Sequence, residues 1–459
     1  MSALGPLYPA GMSQPSQAGA PAQLPAPVRI GLLGCGNVGA AFFSIVADGQ
    51  SGVASRTGMP LEVVKVAVRD PSRPRPGLGG SGLGGLLVAD PWAVVADAEV
   101  ELVVELMGGV EPARSLVLAA LEAGKPVVTA NKELVAACHG ELAAAAEASG
   151  VDFLYEASVA GAIPLVRLLK DSLAGERIVR IMGIVNGTTN YILTRMSEEG
   201  IGYGAALAEA QALGYAEAEP SADVEGYDAA AKAAILAAIA FDAEVVSSDV
   251  YREGITSVGA SDIDFAKRLG YEVKLLAITE REGEDEPVSV RVHPAMIPRA
   301  HPLASVRDSF NAVFVEGEAA GELMVYGRGA GGRPTASAVL GDVIEAAHHL
   351  REQSRPRTSR RRTTRLRPIS ELRSQYYLSL EVLDRPGVLA AVATVFGSCG
   401  VSIRSMEQVG LRHEARLVFV THTALEADVQ ATAAGLEQLE SVERVTCLLR
   451  LVGSEEEAR

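Results

Sequence analysis

Short apolar runs alternate with amphipathic ones through the first third of the chain. Residues 28–33, 61–68, 99–106, 125–129 and 151–156 have the length and β-branched content of strands. Between them, 40–47, 111–123 and 133–149 carry helical spacing, and Gly124 and Gly150 close the last two. Strands alternating with helices predict an α/β unit, a Rossmann-type doubly wound parallel sheet with ligands at the strands' carboxyl ends. The pattern then changes. A strand at 178–185, a helix at 203–213 ended by Gly214, an apolar helix at 233–241, strands at 273–279 and 288–292, and a hairpin at 310–316 and 320–326 predict a mixed α+β domain. From Tyr376 the pattern restarts as β-α-β-β-α-β, the ferredoxin-like arrangement, with a turn at Asp384-Arg385-Pro386-Gly387.

A chain of 459 residues, 48% of them apolar, has material for two or three cores. Its formal net charge of −16 argues against a nucleic-acid partner, and no apolar run has membrane-spanning length. Four scattered cysteines, Cys35, Cys138, Cys399 and Cys447, suggest neither a disulfide framework nor a zinc site, which fits a reducing cytoplasm. The seven histidines lack metal spacing, and His348 and His349 are expected at the surface. Pro, Ala, Gly, Ser and Gln dominate residues 1–27, as in a disordered tail. Eight arginines between 351 and 367 read as a basic flexible linker. The expected units are the tail 1–27, a dinucleotide-binding domain 28–155, a catalytic and dimerisation domain 156–326, a return segment 327–350 on the nucleotide domain, the linker 351–370 and a terminal domain 371–459.

Gly34-Cys35-Gly36-Asn37-Val38-Gly39 follows the first strand and opens a helix, the context a dinucleotide fingerprint needs. The bare pattern recurs twice. Residues 80–85 lack a preceding strand and read as a flexible loop. Residues 327–332, with Gly329 and Gly331, fit either a ligand-facing loop or a tight turn. At the end of the second strand, Arg69 could pair with the 2′-phosphate of NADP, and Asp70 could instead serve the ribose of NAD. Lys132 sits at a strand's carboxyl end, within reach of cofactor or substrate. Glu156 opens a turn rich in small residues whose oxygens suit a hard cation or simply a strand-to-helix turn. Asn186-Gly187-Thr188-Thr189-Asn190 forms a cluster of donors before a helix. Asp228 and Lys232, four apart at the start of the Ala-rich helix, share one face. They form either a surface ion pair or a proton-transfer pair tuned by burial.

Taken together, Gly31 to Gly39, Thr129 to Lys132, Asn186 to Tyr191 and Gly214 through Lys232 resemble homoserine dehydrogenase, in the long form that ends in an ACT domain. The resemblance spans about 28–350 and resumes near 376. It implies that Lys232 is the acid–base lysine with Asp228 beside it, that Glu217, Asp223 and Asp228 hold the substrate, and that Lys132 lies between nicotinamide and substrate. It implies cofactor contacts at Gly34, Gly36, Asn37, Val38, Gly39, Arg69, Lys132, Gly214, Gly329 and Gly331. Glu156, with the carbonyls of Val159, Gly161 and Ile163, matches a sodium-type monovalent cation site. Asp384 and Gly387 match an effector-binding turn, with threonine as the effector. The implied activity is NAD- or NADP-dependent interconversion of L-homoserine and L-aspartate 4-semialdehyde in threonine, methionine and isoleucine biosynthesis, by a cytoplasmic homo-oligomer. Another amino-acid dehydrogenase, or a non-catalytic dinucleotide- and amino-acid-sensing regulator, are the alternatives.

Overall fold

The computed structural model describes residues 25–48, 52–75, 82–283, 285–354, 364–411 and 414–453. Six parallel strands make the first sheet: β1 (Val28–Leu33), β2 (Leu61–Ala67), β3 (Leu87–Val88), β4 (Leu102–Glu105), β5 (Val127–Thr129) and β6 (Phe153–Leu154), in the order 3-2-1-4-5-6. Both faces are covered, which is why its strands read as apolar runs rather than alternating ones. Val28, Ile30 and Leu32 pack with Phe42 and Phe43 of the helix Asn37–Ala47 and with Ala336, Val339 and Val343 of the helix Gly332–Glu352. Leu33 and Val103 pack on the other face against Leu116, Val117 and Leu134. The long return helix therefore completes the nucleotide domain.

Several expectations change in detail. The expected tail lies outside the described residues up to 24. Of the loop expected at 80–85, only 82–85 is described, and Leu83–Leu86 is a 3-10 turn with Leu83 buried, leading into the short edge strand β3. His349, expected at the surface, instead reaches the buried Asp152 carboxylate at 2.9 Å and ties the return helix to the end of the sheet. The end of the basic segment is also docked. Leu366 bridges Val288, and Arg367 pairs with Glu282 at 2.8 Å. Residues 355–363 lie outside the described set.

The second sheet has 11 strands. Its first part is β7 (Ile178–Ile184), β8 (Tyr251–Arg252), β9 (Tyr271–Glu280), β10 (Ser289–Pro298), β11 (Phe310–Gly317) and β12 (Gly321–Arg328). The helices Gly187–Glu199 and Tyr227–Phe241 cover one face. The second of these is mostly alanine, and Ala229, Ala230, Ala233, Ala234 and Ala237 are all buried. Such small side chains let it lie close to the sheet, which carries Lys232 in against the end of β7.

The ferredoxin-like unit contributes β13 (Arg373–Leu383), β14 (Ile403–Leu411), β15 (Glu414–Thr421), β16 (Ala424–Leu425) and β17 (Val442–Leu451). It was expected as a separate module, yet β17 pairs in parallel with β10, so one sheet runs through both domains. Arg450 seals the joint. It is buried, and its guanidinium bonds Glu426 (2.8 Å) from one domain and Glu253 (2.9 Å) from the other.

A buried lysine braces the helix that leads from β7. Lys274 donates to Asn190 Oδ1 (3.0 Å) and to the Val306 carbonyl, while Asn190 Nδ2 donates to the Asp308 carbonyl (2.9 Å). Among the described residues no carboxylate bonds the ammonium, and burial pushes its pKa down to about 8 from the usual 10.5. Between those values the unfolded chain binds a proton that the folded protein does not, so stability rises with pH there. Chemical denaturation should show the wild type gaining stability relative to Lys274→Met between pH 8 and 10.5. The slope should approach about 1.4 kcal/mol per pH unit. Parallel curves would contradict the assignment.

Candidate active site

The dinucleotide turn has the geometry that its glycines require. Gly34 has φ +96°, and a Cβ there would meet the Leu106 carbonyl oxygen at 2.7 Å. A Cβ on Gly39 would collide with the Gly34 carbonyl, so the helix Asn37–Ala47 can pack this closely only without one. Gly36, the N-cap of that helix, is different: a Cβ there would meet nothing, which leaves an open cradle before a helix N-terminus. The residues present thus fit a dinucleotide pyrophosphate. Asn37 is exposed beside this opening, while Val38 is half-buried and packs toward the core.

At the carboxyl ends of β4 and β5 the buried Glu105 accepts from Thr129 Oγ1 (2.6 Å) and the Met107 amide (2.7 Å). Burial raises its pKa, and these donors work in the opposite direction. Asn131 donates to the Gly109 carbonyl (2.6 Å) and caps the helix Lys132–Ser149 by accepting from the Leu134 amide (3.1 Å). Lys132 is therefore the first residue of a helix, where the macrodipole opposes a positive charge.

Its compensation comes from the other domain. The Lys132 ammonium bonds Asp228 Oδ1, and the Lys232 ammonium bonds Asp228 Oδ2 at 2.6 Å. Lys232 also donates to the Val185 carbonyl (2.7 Å) at the end of β7. Burial by itself would raise the Asp228 carboxyl. The ammonium groups of Lys232 and Lys132 outweigh that, and they hold it well below the usual carboxylate range. Burial likewise disfavours the Lys132 ammonium, but Asp228 more than offsets this and raises its pKa. The pair suspected from sequence is thus buried, not a surface ion pair, and the half-exposed Lys132 joins it as a third member. Both lysines line a cavity of about 250 Å³, together with Gly108, Asn131, Ser158 and Gly329.

Asp223 is half-buried and accepts from Asn186 Nδ2 at 2.6 Å. The same amide donates to Asp228 Oδ2 at 2.9 Å. In the sequence Asn186 reads as part of a cap-like cluster with donors for a carboxylate, while Glu105 is not singled out. A lone acid closing the run Leu-Val-Val-Glu was the available signal for Glu105. Glu217 is not brought into the cluster: it is exposed. Gly214 lies at the end of the helix Tyr203–Ala212 with φ +76°. A Cβ on Gly329 would collide with Asn311, so close packing accounts for this glycine, while Gly331, φ +123°, caps the return helix.

Three other predicted positions serve different environments. Arg69 is exposed, and Asp70 is occupied by the Ser72 amide (2.9 Å) and hydroxyl (2.6 Å). The Glu156 carboxylate accepts from the amides of Leu165 (2.6 Å), Val166 (2.8 Å) and Arg167 (2.9 Å), where a helical turn begins. The carboxylate is thus engaged in capping, and the Ile163 carbonyl, also named for a cation, accepts from the Leu165 amide at 2.8 Å. Among the described residues, no cluster of three or more His, Cys, Asp or Glu side chains suits a metal. Gly387, φ +92°, is the N-cap of the helix Val388–Ser398, and Asp384 is exposed just before it.

Comparison with known proteins agrees with this geometry. Residues 34–156 match the family description "Homoserine dehydrogenase, NAD binding domain", residues 164–344 match "Homoserine dehydrogenase", and residues 376–441 match "ACT domain". A homoserine dehydrogenase of Corynebacterium glutamicum is 50% identical over 92% of this chain and 95% of its own. The crystal structure of a homoserine dehydrogenase from Thiobacillus denitrificans has a TM-score of 0.85 at 40% identity, covering 93% of this chain and 98% of that one. A hyperthermophilic archaeal homoserine dehydrogenase in complex with NADPH has a TM-score of 0.59 at 28% identity, covering 70% of this chain and 98% of that one. The chain belongs to the homoserine dehydrogenase family.

Proposed function

We propose that this protein interconverts L-homoserine and L-aspartate 4-semialdehyde with NADP, using Lys232 as the proton-transfer group. The observation that carries the reading is the Lys132–Asp228–Lys232 cluster beside the cavity at the nucleotide domain's strand ends. When bound, the nicotinamide supplies the hydride or accepts it. The protein's own residues handle charge and protons. Lys232 has two donor positions committed, to Asp228 and to the Val185 carbonyl, which leaves one for the cavity it lines. In reduction it gives a proton to the carbonyl oxygen, and in oxidation the neutral amine takes one from the hydroxyl. Asp228 orients it, and Lys132 stabilises negative charge developing on that oxygen. Glu217 and Asp223 are assigned to the substrate ammonium, whose charge asks for carboxylates.

NADP is favoured by charge at the end of β2. Asp70 is held by Ser72 while Arg69 is exposed, and the Arg75 guanidinium lies beside Cys35 of the glycine turn. The archaeal relative's NADPH complex supports the same choice. A sodium-type cation would be held at the turn 156–163 through main-chain oxygens, since the Glu156 carboxylate is engaged. We assign threonine, as effector, to the turn at Asp384 and Gly387, with the β10–β17 joint carrying the signal. Homo-oligomeric assembly and a cytoplasmic location complete the reading. Among the described residues no helix is long and apolar enough to cross a membrane.

The test is homoserine-dependent NADP reduction by purified protein, with NAD and added threonine as further arms. Lys232→Ala should lose roughly 10²–10⁴-fold in kcat with little change in the KM for NADP. Unchanged turnover would remove Lys232 from the mechanism. Gly36→Ala probes the cradle separately. Its Cβ meets no neighbour, so the melting temperature should hold. The KM for NADP should rise about tenfold or more as the backbone is kept from the pyrophosphate. An unaltered KM would show that the phosphates bind elsewhere.

A further inference from the structure

We infer that Asn186 is the positioning residue that sets the spacing of the two active-site acids, Asp223 and Asp228. The inference rests on the reading of Asp228 as the group that orients Lys232. Asn186 is buried at the junction between β7 and the helix Gly187–Glu199. Its side-chain oxygen accepts from the Thr189 amide at 2.9 Å and from the Thr189 hydroxyl at 3.0 Å. A backbone amide can only donate, so the oxygen must face the helix and the NH2 must face the acids. Its two protons then have two acceptors, Asp223 Oδ1 at 2.6 Å and Asp228 Oδ2 at 2.9 Å.

Three consequences follow from that placement. Two carboxylates brought close repel each other, and a shared donor between them offsets part of that cost. Asp228 becomes saturated by Lys132, Lys232 and Asn186, which fixes its rotation. Among the described residues Asn186 is the one hydrogen-bond donor to the Asp223 carboxylate, on Oδ1, so Oδ2 is left for a substrate donor. Residue 185 acts on the same pair, because its carbonyl holds Lys232. One turn of chain thus anchors both the acid–base lysine and its orienting acid. The turn itself is rigidly held. A Cβ on Gly187 would meet the Ser309 carbonyl at 2.7 Å, and Asn190 one turn later is pinned to the carbonyls of Asp308 and Phe310.

Asn186→Asp separates positioning from capping. Aspartate is as good an N-cap as asparagine, so the helix keeps its start, while both donors are lost. The expected result is a fall of roughly 10–100-fold in kcat/KM for homoserine, with the KM for NADP and the helical circular dichroism retained. The deficit should shrink as pH falls and the new carboxyl regains a proton to donate, a dependence that a purely structural defect would not show. Asn186→Ser, also competent as a cap, carries the same rate expectation if the first variant does not fold. Combined with Asp228→Asn or Asp223→Asn, the substitution should cost less than the sum of the single effects. Wild-type kcat/KM in Asn186→Asp, or full additivity with both acids, would overturn the inference. A wild-type rate in Asp228→Asn would instead overturn the reading on which it rests.

Discussion

The carboxylate of Asp228 holds the two halves of this protein's chemistry together. Lys132 comes from the nucleotide domain, Lys232 from the catalytic helix, and both end on this one buried group. Two ammonium groups brought together at one cavity would repel each other, and the buried Lys232 would also lose its water. With the carboxylate between them, the cluster is a compact arrangement of alternating charge. Each lysine is thereby held where the cavity is, and the crevice between the domains is defined by an ion pair rather than by apolar packing alone. The Ala-rich helix makes this possible, because larger side chains would push Lys232 away from the end of β7.

The mirror-image arrangement, a buried cation between two acids from different domains, occurs at Arg450. There it joins the ACT domain to the catalytic sheet, with Tyr377 adding a bond to Asp262 at 2.7 Å across the same boundary. A continuous sheet with a buried ionic joint is a stiff connection. β17 of the ACT domain pairs with β10, and β10 lies beside β9, which carries Lys274 under the helix that Asn186 caps. Strand, buried lysine and helix N-terminus are thus packed in sequence between the ACT domain and the Asp223–Asp228 cluster.

Much of this was legible in the chain because it is local. Alternating apolar runs gave the parallel sheet, the first glycine turn sat between a strand and a helix, and Asp228 and Lys232 were four residues apart. What escaped depends on distant partners. The two-residue pairing of β10 with β17 leaves no periodic trace. Asn186 was visible as a cap and a donor, but not which acids it bridges, since they lie 37 and 42 residues away. That the Glu156 carboxylate caps a helical turn was not legible, and His349 looked superficial although it meets a buried Asp152. Lys132 did carry a local warning, a positive charge at a helix N-terminus, where structure alone would not favour it.

The central claim is that Asp228 makes a reactive pair out of Lys232 rather than merely neutralising it. The most direct measurement is kcat for homoserine oxidation at saturating NADP by Asp228→Asn beside the wild type. If Asp228 orients Lys232 for proton transfer, kcat falls by roughly 10²–10⁴-fold in a folded protein that still binds cofactor. A kcat equal to that of the wild type would contradict it, and would reduce the cluster to an ion pair that only holds two domains together.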